Sequence, residues 1–290
     1  MAALNHLTMK TKFTLYSLLA SGLFSAQVIS GKILSNDNNP VPFARIGVVD
    51  ENIGAVADES GNYKIDLSAA GQDKVLTVQM GGYASFTEKI NDFVKCGNYT
   101  IRLTEKINDI EEVKLTPDTF ENKNWGIKTK AKNVGFWYNS RGNEGGNWKD
   151  EIAVSFTNRK KVKIDKINLN INQFDTDKPV VLSFNIYAEE NNRPGKSILS
   201  EVLTVQVSKD RIKDGTFTFD VSDRSLWVNN QNFYVSTQIV SEYSGTIGFS
   251  AALLGAVYVR SYYEKWQKIP VAAPAINIDV KVRKEKRHTA

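Results

Sequence analysis

The amino-acid sequence predicts an all-β protein built from two β-sandwiches. Apolar and polar residues alternate at period two along most of the chain, which is the pattern of strands with one buried and one exposed face. Turn-forming clusters such as "SNDNNP" and "EENNRPG" interrupt this alternation at short intervals. A chain of 290 residues with 41% hydrophobic residues is long enough for two domains that each bury a core.

The first 26 residues have the pattern of a secretory signal peptide, which is predicted to be removed on export. Lys10 and Lys12 precede an apolar run from Phe13 to Phe24, and small residues follow up to Ala26. The run is shorter than the roughly 20 apolar residues of a transmembrane helix. The alternative is an N-terminal helix that stays buried or anchors the chain. We expect the translation start at Met9, no transmembrane segment after cleavage, and a location in the periplasm, at the outer membrane or on the cell surface.

Residues 27–104 predict a seven-stranded sandwich. In "GAVADESGNYKIDL" the apolar residues of "YKIDL" alternate with charged ones, and "DESGN" before it reads as a turn in which Gly61 adopts positive φ. The predicted strands are Val28 to Ile33, Phe43 to Val49, Ala55 to Val56, Tyr63 to Leu67, Val75 to Met80, Ser85 to Ile90 and Tyr99 to Leu103.

This block resembles the carboxypeptidase-regulatory-like domain, a prealbumin-like β-sandwich. The resemblance rests on "ISGKILSNDNNPVPFARIGVVDENIGAVADESGNYKIDL" and "VLTVQMGGYASFTEKI". The residues that fit the family pattern are Gly31, Pro42, Ala44, Gly54, Asp58, Gly61, Tyr63, Gly82 and Tyr83, and the departure is Ala57, where threonine is usual. The resemblance implies a domain without catalytic residues, of a kind that exported proteins of Gram-negative bacteria carry at their N-termini.

A charged linker is predicted at residues 105–124, followed by a larger, jelly-roll-like sandwich at 125–284 and a basic tail at 285–290. The alternation slips between Ile164 and Ile167, which indicates a β-bulge. The run "IGFSAALLGAVYV" predicts a buried strand pair that turns at Gly255. The predicted strands are Ile152 to Phe156, Val162 to Asn172, Val181 to Tyr187, Leu203 to Val207, Phe217 to Val221, Phe233 to Ile239, Ile247 to Leu253, Ala256 to Arg260 and Ile276 to Val282.

The scarcity of histidine and cysteine excludes several chemistries. His6 and His288 both lie outside the two predicted domains, so Ser-His-Asp and Cys-His catalysis and His-based zinc sites are excluded. Cys96 is the single cysteine, so no internal disulfide can form, and we expect its side chain to be small, apolar and buried.

Two loop motifs do not meet the requirements of known sites. "RPGKSIL" ends like a phosphate-binding loop, but Glu190 occupies the position of the required glycine, and Lys196 is interpreted as a turn residue. An EF-hand starting at Asp58 would have Gly61 at the fourth instead of the sixth place and Ala69 where a glutamate is needed. A looser calcium site in the sandwich stays open as an alternative. The prediction is no cofactor and no metal.

Charge argues against nucleic-acid binding. The predicted leader holds two lysines and no acid, so the mature chain would carry +3 in place of +5. The end of the chain, "KVRKEKRHTA", accounts for that excess, and the body is close to neutral. We interpret the basic tail as solvated.

Aromatic and arginine residues provide the candidate ligand site. "FWYNSRGNEGGNW" and "VRSYYEKW" combine rings and guanidinium groups in polar, glycine-rich surroundings, where exposed rings can stack on sugars or peptides. The alternative is that these rings cap the sandwich core. The candidate ligand-binding residues are Trp137, Arg141, Trp148, Arg260, Tyr262 and Trp266.

The sequence therefore predicts a non-enzymatic, exported cell-envelope protein that binds a glycan or an envelope protein. One alternative is a glycoside hydrolase that uses two carboxylates brought together in a cleft of the second sandwich. Another is a purely structural component of an envelope assembly. The adjacent pairs Glu111-Glu112 and Glu189-Glu190 do not form a dyad by themselves, because neighbours on a strand point to opposite faces.

Overall fold

The computed structural model describes residues 27–106, 120–140 and 150–284 of the chain. Strands dominate these ranges, and the predicted all-β fold class is confirmed. The predicted signal peptide, most of the predicted linker and the basic tail lie outside the described residues. Across the described ranges, no helix has the length and apolar character needed to cross a membrane.

All seven strands predicted for the N-terminal sandwich are present. The strands are β1 (Val28–Ser35), β2 (Arg45–Val48), β3 (Gly54–Val56), β4 (Asn62–Asp66), β5 (Val75–Gln79), β6 (Phe86–Lys89) and β7 (Thr100–Leu103). In one sheet the order is β4-β1-β7, with β1 antiparallel to β4 and parallel to β7; in the other the order is β3-β2-β5-β6. The sheets share a core of buried apolar residues that runs from Ile29 to Leu103.

The turn between β3 and β4 is built as predicted. The Asp58 carboxylate accepts hydrogen bonds from the backbone N–H groups of Ser60 and Asn62, each at 2.8 Å, and from the Asn62 amide at 3.0 Å. Gly61 has a φ of 75°, which glycine adopts without steric cost. Along β4, exposed and buried residues then alternate strictly. The acidic residue at this turn therefore holds the chain's own backbone.

A short helix, α1 (Ile90–Cys96), was not predicted. It buries Ile90 and Phe93 against the first core and ends at Gly97 in the left-handed conformation. Seven residues with two buried positions are too few to show a helical period in the sequence. The prediction that Cys96 is buried is wrong, because the residue stands exposed at the end of this helix.

The C-terminal sandwich contains all nine predicted strands, together with shorter or peripheral ones. The strands are β8 (Phe120–Gly126), β9 (Gly135–Asn139), β10 (Asp150–Phe156), β11 (Lys161–Thr176), β12 (Val180–Glu190), β13 (Arg193–Ser197), β14 (Leu203–Val207), β15 (Ile212–Lys213), β16 (Thr216–Asp220), β17 (Trp227–Asn229), β18 (Phe233–Ile239), β19 (Gly245–Leu253), β20 (Val257–Ser261), β21 (Gln267–Ile269), β22 (Ala272–Pro274) and β23 (Ile276–Arg283).

These strands form two sheets. The first has the order β13-β12-β18-β10-β20-β21, with β14 also beside β12. The second is centred on β11, which pairs with β16 and β17 on one edge, with β23 on the other, and with β19 near its end. Phe184 of the first sheet meets Phe219 of the second, with ring centroids 5.8 Å apart. The two-sheet sandwich is observed, and its jelly-roll connectivity stays a prediction.

Three local predictions can be compared with the strands. The predicted bulge is confirmed, since the register of β11 against β23 shifts between Ile164 and Lys166. The prediction of a hairpin at Gly255 is wrong, because β19 and β20 belong to different sheets and the turn between them crosses the sandwich. The prediction that Lys196 lies in a turn is also wrong, since it lies in strand β13.

The linker prediction needs correction at its end. Phe120–Gly126, which includes the last five residues assigned to the linker, forms β8 and pairs with β23 along seven positions. The polar sequence "ENKN" concealed this strand, because β8 keeps most of its residues partly or fully exposed. Residues 107–119 of the predicted linker lie outside the described residues.

An asparagine ladder on β11 holds the segment that follows β8. The Asn170 amide donates to the carbonyl oxygens of Lys128 at 2.9 Å and Thr129 at 2.7 Å. The Asn172 amide donates to the carbonyl of Ala131 at 3.2 Å. Residues 127–131, here called the strap, therefore lie against the second sheet without being a strand of it.

Candidate ligand site between the two sandwiches

The site begins with a buried glutamate, Glu151, which lies near the start of strand β10, directly before its apolar residues. Strand β10 lies between β18 and β20. Ile152 and Val154 point into the sandwich core, and strand alternation places Glu151 and Ala153 on the opposite face. The Glu151 side chain is 3% exposed there. A buried carboxylate requires charged and hydrogen-bonding partners, since desolvation alone would disfavour its ionised form.

Three of the partners of Glu151 belong to the C-terminal sandwich. Arg260, directly opposite on β20, donates through Nε at 2.9 Å and Nη2 at 2.8 Å to Glu151 Oε2. The Tyr187 hydroxyl at 2.7 Å and the Ser236 hydroxyl at 2.6 Å donate to Oε1. The strand registers of β10, β12, β18 and β20 thus bring four side chains to one point.

A further partner comes from the N-terminal sandwich. Arg45 of β2 forms an ion pair with Glu151 through Nη1, and its Nη2 donates to the carbonyl oxygen of Tyr262. We call Arg45, Glu151, Tyr187, Ser236 and Arg260 the interface cluster. Because it contains residues of both sandwiches, the cluster joins them.

The loop after β20 packs on the N-terminal sandwich beside this cluster. The Tyr263 hydroxyl donates to the carbonyl oxygen of Arg45 at 2.8 Å, and the Tyr263 carbonyl accepts from the Asp50 N–H at 3.1 Å. A side chain at Gly54 would have its Cβ 2.6 Å from the Tyr262 ring. The first residue of "GAVADESGNYKIDL" is thus a glycine at a close approach of the two sandwiches.

The electrostatics keep Glu151 ionised. Burial alone would raise its pKa, but the charges of Arg260 and Arg45 and the hydrogen bonds from Ser236 and Tyr187 outweigh burial and lower the pKa to about 2. Burial raises the pKa of Tyr187, so its hydroxyl stays protonated and donates. Glu151 is therefore fixed as a hydrogen-bonded anion and has no proton to give at neutral pH.

A cavity of about 390 Å³ opens beside the interface cluster, between the two sandwiches. We call it the interdomain cavity. Glu151 is the one acidic residue among its described lining residues, and the basic ones are Arg45, Lys106, Lys196 and Arg260. Neutral polar groups also line it: Gln79, Ser85, Ser183, Asn185, Ser197 and Gln238. A cavity of this size at a domain interface, with convergent polar groups, is the usual setting for a small-ligand site.

The predicted ligand-binding residues do not form one group. Arg260 lies in the interface cluster, and the Trp266 ring packs on it with 4.4 Å between Arg260 Cζ and the ring centroid. Tyr262 packs on Gly54, as described above. Trp137 lies on β9 in the second sheet and is 46% exposed, while Arg260 lies in the first sheet. Arg141 and Trp148 lie outside the described residues. A ligand-binding role for these residues stays a prediction.

Sequence reasoning missed Arg45 and Glu151. For Arg45 the available signal was a charge inside the apolar run "ARIGVV". Glu151 gave no such signal, because it follows Lys149 and Asp150 and only precedes the apolar run "IAVSF". The pairing of the two could not be read from the sequence, because 106 positions separate them. In the described ranges, no group of three or more His, Cys, Asp or Glu residues could hold a metal ion.

The fold and the site define a class: a two-sandwich all-β protein whose N-terminal unit is a regulatory-type module joined to a larger sandwich. Residues 29–115 match the CarboxypepD_reg-like domain family, so the resemblance found in the sequence is confirmed for this unit. This domain is regulatory and non-catalytic. The match covers less than half of the chain and does not extend to the C-terminal sandwich.

Other comparisons add little. A search of the curated proteins found no match. One matching solved structure is "Structure of infectious bursal disease virus Gx strain", with 9% sequence identity and a TM-score of 0.24. The alignment covers 84% of this chain and 62% of the viral chain, so the chain spans less than two thirds of that protein. At this TM-score the likeness carries no argument about fold or function.

Proposed function

We propose that this chain is a non-enzymatic, exported cell-envelope protein in which the two sandwiches act as one binding unit for a glycan or an envelope protein. The observation that carries the proposal is the interface cluster. Arg45 of the regulatory-like domain completes the coordination of a glutamate that belongs to the other sandwich. Breaking a buried ion pair is strongly destabilising, so this pair holds the two sandwiches in one arrangement, whereas a simple spacer needs no fixed arrangement.

Three further features support export and a binding role. The predicted signal peptide accounts for the apolar N-terminus, and the CarboxypepD_reg-like domain is non-catalytic. The interdomain cavity offers one carboxylate, held ionised by two arginines, among its described lining residues. A glycoside hydrolase needs two carboxylates, one of which is protonated near neutral pH, so this cavity favours binding over hydrolysis.

The proposal is tested with residues 27–290 as a purified protein. The protein is applied to an array of bacterial envelope glycans and used as bait in solubilised envelope fractions. We expect a specific glycan or envelope protein to be retained, and we expect Arg45→Ala to weaken retention while Arg102→Ala does not. Arg102 is a matched control, since it is exposed and hydrogen-bonded to Asn38 within the N-terminal sandwich. Absence of any retained glycan or protein would overturn the proposal, and retention equal in both variants would overturn the role of the interface.

Export is tested separately. Cell fractionation should place the protein outside the cytoplasm, and mass spectrometry of the mature N-terminus should show loss of the residues up to Ala26. A cytoplasmic protein that retains its apolar N-terminus would contradict this part of the proposal.

A second candidate function, an envelope assembly component, is favoured by an exposed apolar group at one end of the C-terminal sandwich. Leu254 is 97% exposed at positive φ, and Leu253, Ile269 and Val271 are also exposed. Exposed apolar groups of this kind often mark protein contacts. A glycan array without hits, together with an envelope protein whose capture is lost in Leu254→Ser, would support this candidate over the first.

A further inference from the structure

Charge distinguishes the interdomain cavity from the other clefts between the sandwiches. A larger open groove of about 1190 Å³ has three basic and three acidic residues among its described lining residues. A third cleft of about 700 Å³ also has three of each among the described residues. The described lining of the interdomain cavity has four basic residues and one acidic residue. An excess of three positive charges in a concave space concentrates anions there.

The excess of positive charge extends to the buried side chains of the interface cluster, at one wall of the cavity. Two guanidinium groups share one carboxylate in the interface cluster, so the cluster keeps a net positive charge although both arginine side chains are 11% exposed. A net positive charge that is largely removed from solvent costs free energy, which an anion bound in the cavity would reduce.

The neutral polar side chains of the cavity indicate that the bound anion also has hydroxyl groups. The amide group of Gln79 and the hydroxyl groups of Ser85 and Ser183 can both donate and accept hydrogen bonds. Hydroxyl-rich ligands need such groups. The exposed side chains of Lys106 and Lys196 add mobile cationic donors to the lining.

We propose that the interdomain cavity binds an acidic sugar, a uronic acid whose carboxylate faces Arg45 and the two lysines. The inference rests on the proposed binding function and adds the chemical class of the ligand and its place. It assigns a role to the two-arginine, one-glutamate composition of the interface cluster, since a balanced pair would leave the cavity with a weaker anion preference.

The test uses residues 27–290 with glucuronate and galacturonate as probes, measured by isothermal titration calorimetry and by ligand-observed NMR. Glucose and galactose are the neutral controls, and inorganic phosphate tests for a generic oxyanion site. We expect saturable binding of at least one uronate, weakening as ionic strength rises, and no saturation with the neutral sugars.

One variant combines Lys106→Gln with Lys196→Gln. The control variant is Lys209→Gln. The first two residues line the cavity outside the interface cluster, so the fold should be retained; Lys209 is exposed and away from the cavity. We expect at least about tenfold weaker uronate binding in the double variant, the loss associated with a charge-assisted hydrogen bond, and no change in the control.

Three results would overturn the inference: no uronate binding, uronate binding unaffected by the double variant, or phosphate binding without uronate binding. If no uronate binds but the glycan array or the envelope capture still identifies a specific partner, the proposed binding function is retained and the acidic-sugar assignment is wrong. If both fail, the proposed function falls with it.

Discussion

Glu151 shows how one residue links strand pattern, electrostatics and domain arrangement. Its position on β10 is fixed by alternation, because the neighbouring apolar residues fill the sandwich core. Its charge is retained because four side chains donate to its two oxygens. Its position next to the N-terminal sandwich makes it the contact point for Arg45.

Replacing Glu151 by glutamine should destabilise the protein by about 3–5 kcal/mol, because two buried arginines lose their counter-charge. Denaturant unfolding of the two proteins measures this difference. Glu121→Gln is the control, because it removes a partly exposed ion pair with Lys123 and should leave the free energy of unfolding nearly unchanged. Equal effects of the two substitutions would contradict the role assigned to Glu151.

The same residue predicts an acid-dependent loss of stability. The pKa of Glu151 falls from an ordinary value of 4.5 to about 2 on folding, so the folded state binds the proton more weakly than the unfolded state. The stabilisation is fully present above pH 4.5 and is lost as pH falls toward 2, by an amount on the order of 3 kcal/mol. Unfolding free energies measured between about pH 2 and 6 should show a steeper decline for the parent protein than for Glu151→Gln. Parallel curves would refute the prediction.

At the scale of elements, the strap explains two of the three asparagines of "NLNIN" on β11. Apolar residues of this strand fill the core, and on its other face Asn170 and Asn172 hold backbone carbonyls of residues 127–131. The third, Asn168, donates to the side chains of Asn277 and Asp279 on β23. Asn170 also accepts a hydrogen bond from the Thr216 hydroxyl at 2.8 Å, which links the strap to β16. A buried amide that satisfies three partners is a structural device, although in the sequence it looks like an ordinary polar face.

Asn170→Ala should release the strap and destabilise the protein by about 2–3 kcal/mol, because two carbonyls and one hydroxyl lose a partner. Amide hydrogen exchange should accelerate in residues 127–131 and little elsewhere. Asn229→Ala, on the exposed end of β17, is the matched control and should leave both quantities unchanged. Unchanged exchange in the strap of the Asn170 variant would show that other contacts hold it.

At the scale of the whole molecule, the interface cluster is the most buried of several contacts between two sandwiches that each have their own core. One core is built from residues between Ile29 and Leu103, and the other from residues between Tyr138 and Val282. Arg45, the Tyr263 hydroxyl and the close contact at Gly54 connect them. Cooperative unfolding of the two sandwiches is the expected consequence.

Arg45→Ala should weaken this coupling and leave the packing of both hydrophobic cores unchanged, since Arg45 belongs to neither core. Calorimetry should show one unfolding transition for the parent protein and two separated transitions for the variant. Arg102→Ala should behave like the parent. A single unshifted transition in the Arg45 variant would show that the sandwiches are held together by other contacts.

Much of the fold could be predicted because its elements are local. Strands with one buried face alternate visibly, and the Asp58 turn is evident from its residue types. The strands that escaped prediction, such as β8 and β13, are polar or peripheral, so burial leaves no period in them. Helix α1 escaped because its seven residues are too few to show a helical period.

The sequence by itself determined the all-β class and the regulatory-like domain, since each depends on residue type and short-range spacing. Only the tertiary structure decided which charges meet. Arg45, Glu151 and Arg260 are far apart in the chain, and their approach depends on strand register and on the docking of two sandwiches. A charge in an apolar run shows that a partner must exist, but long-range packing selects that partner.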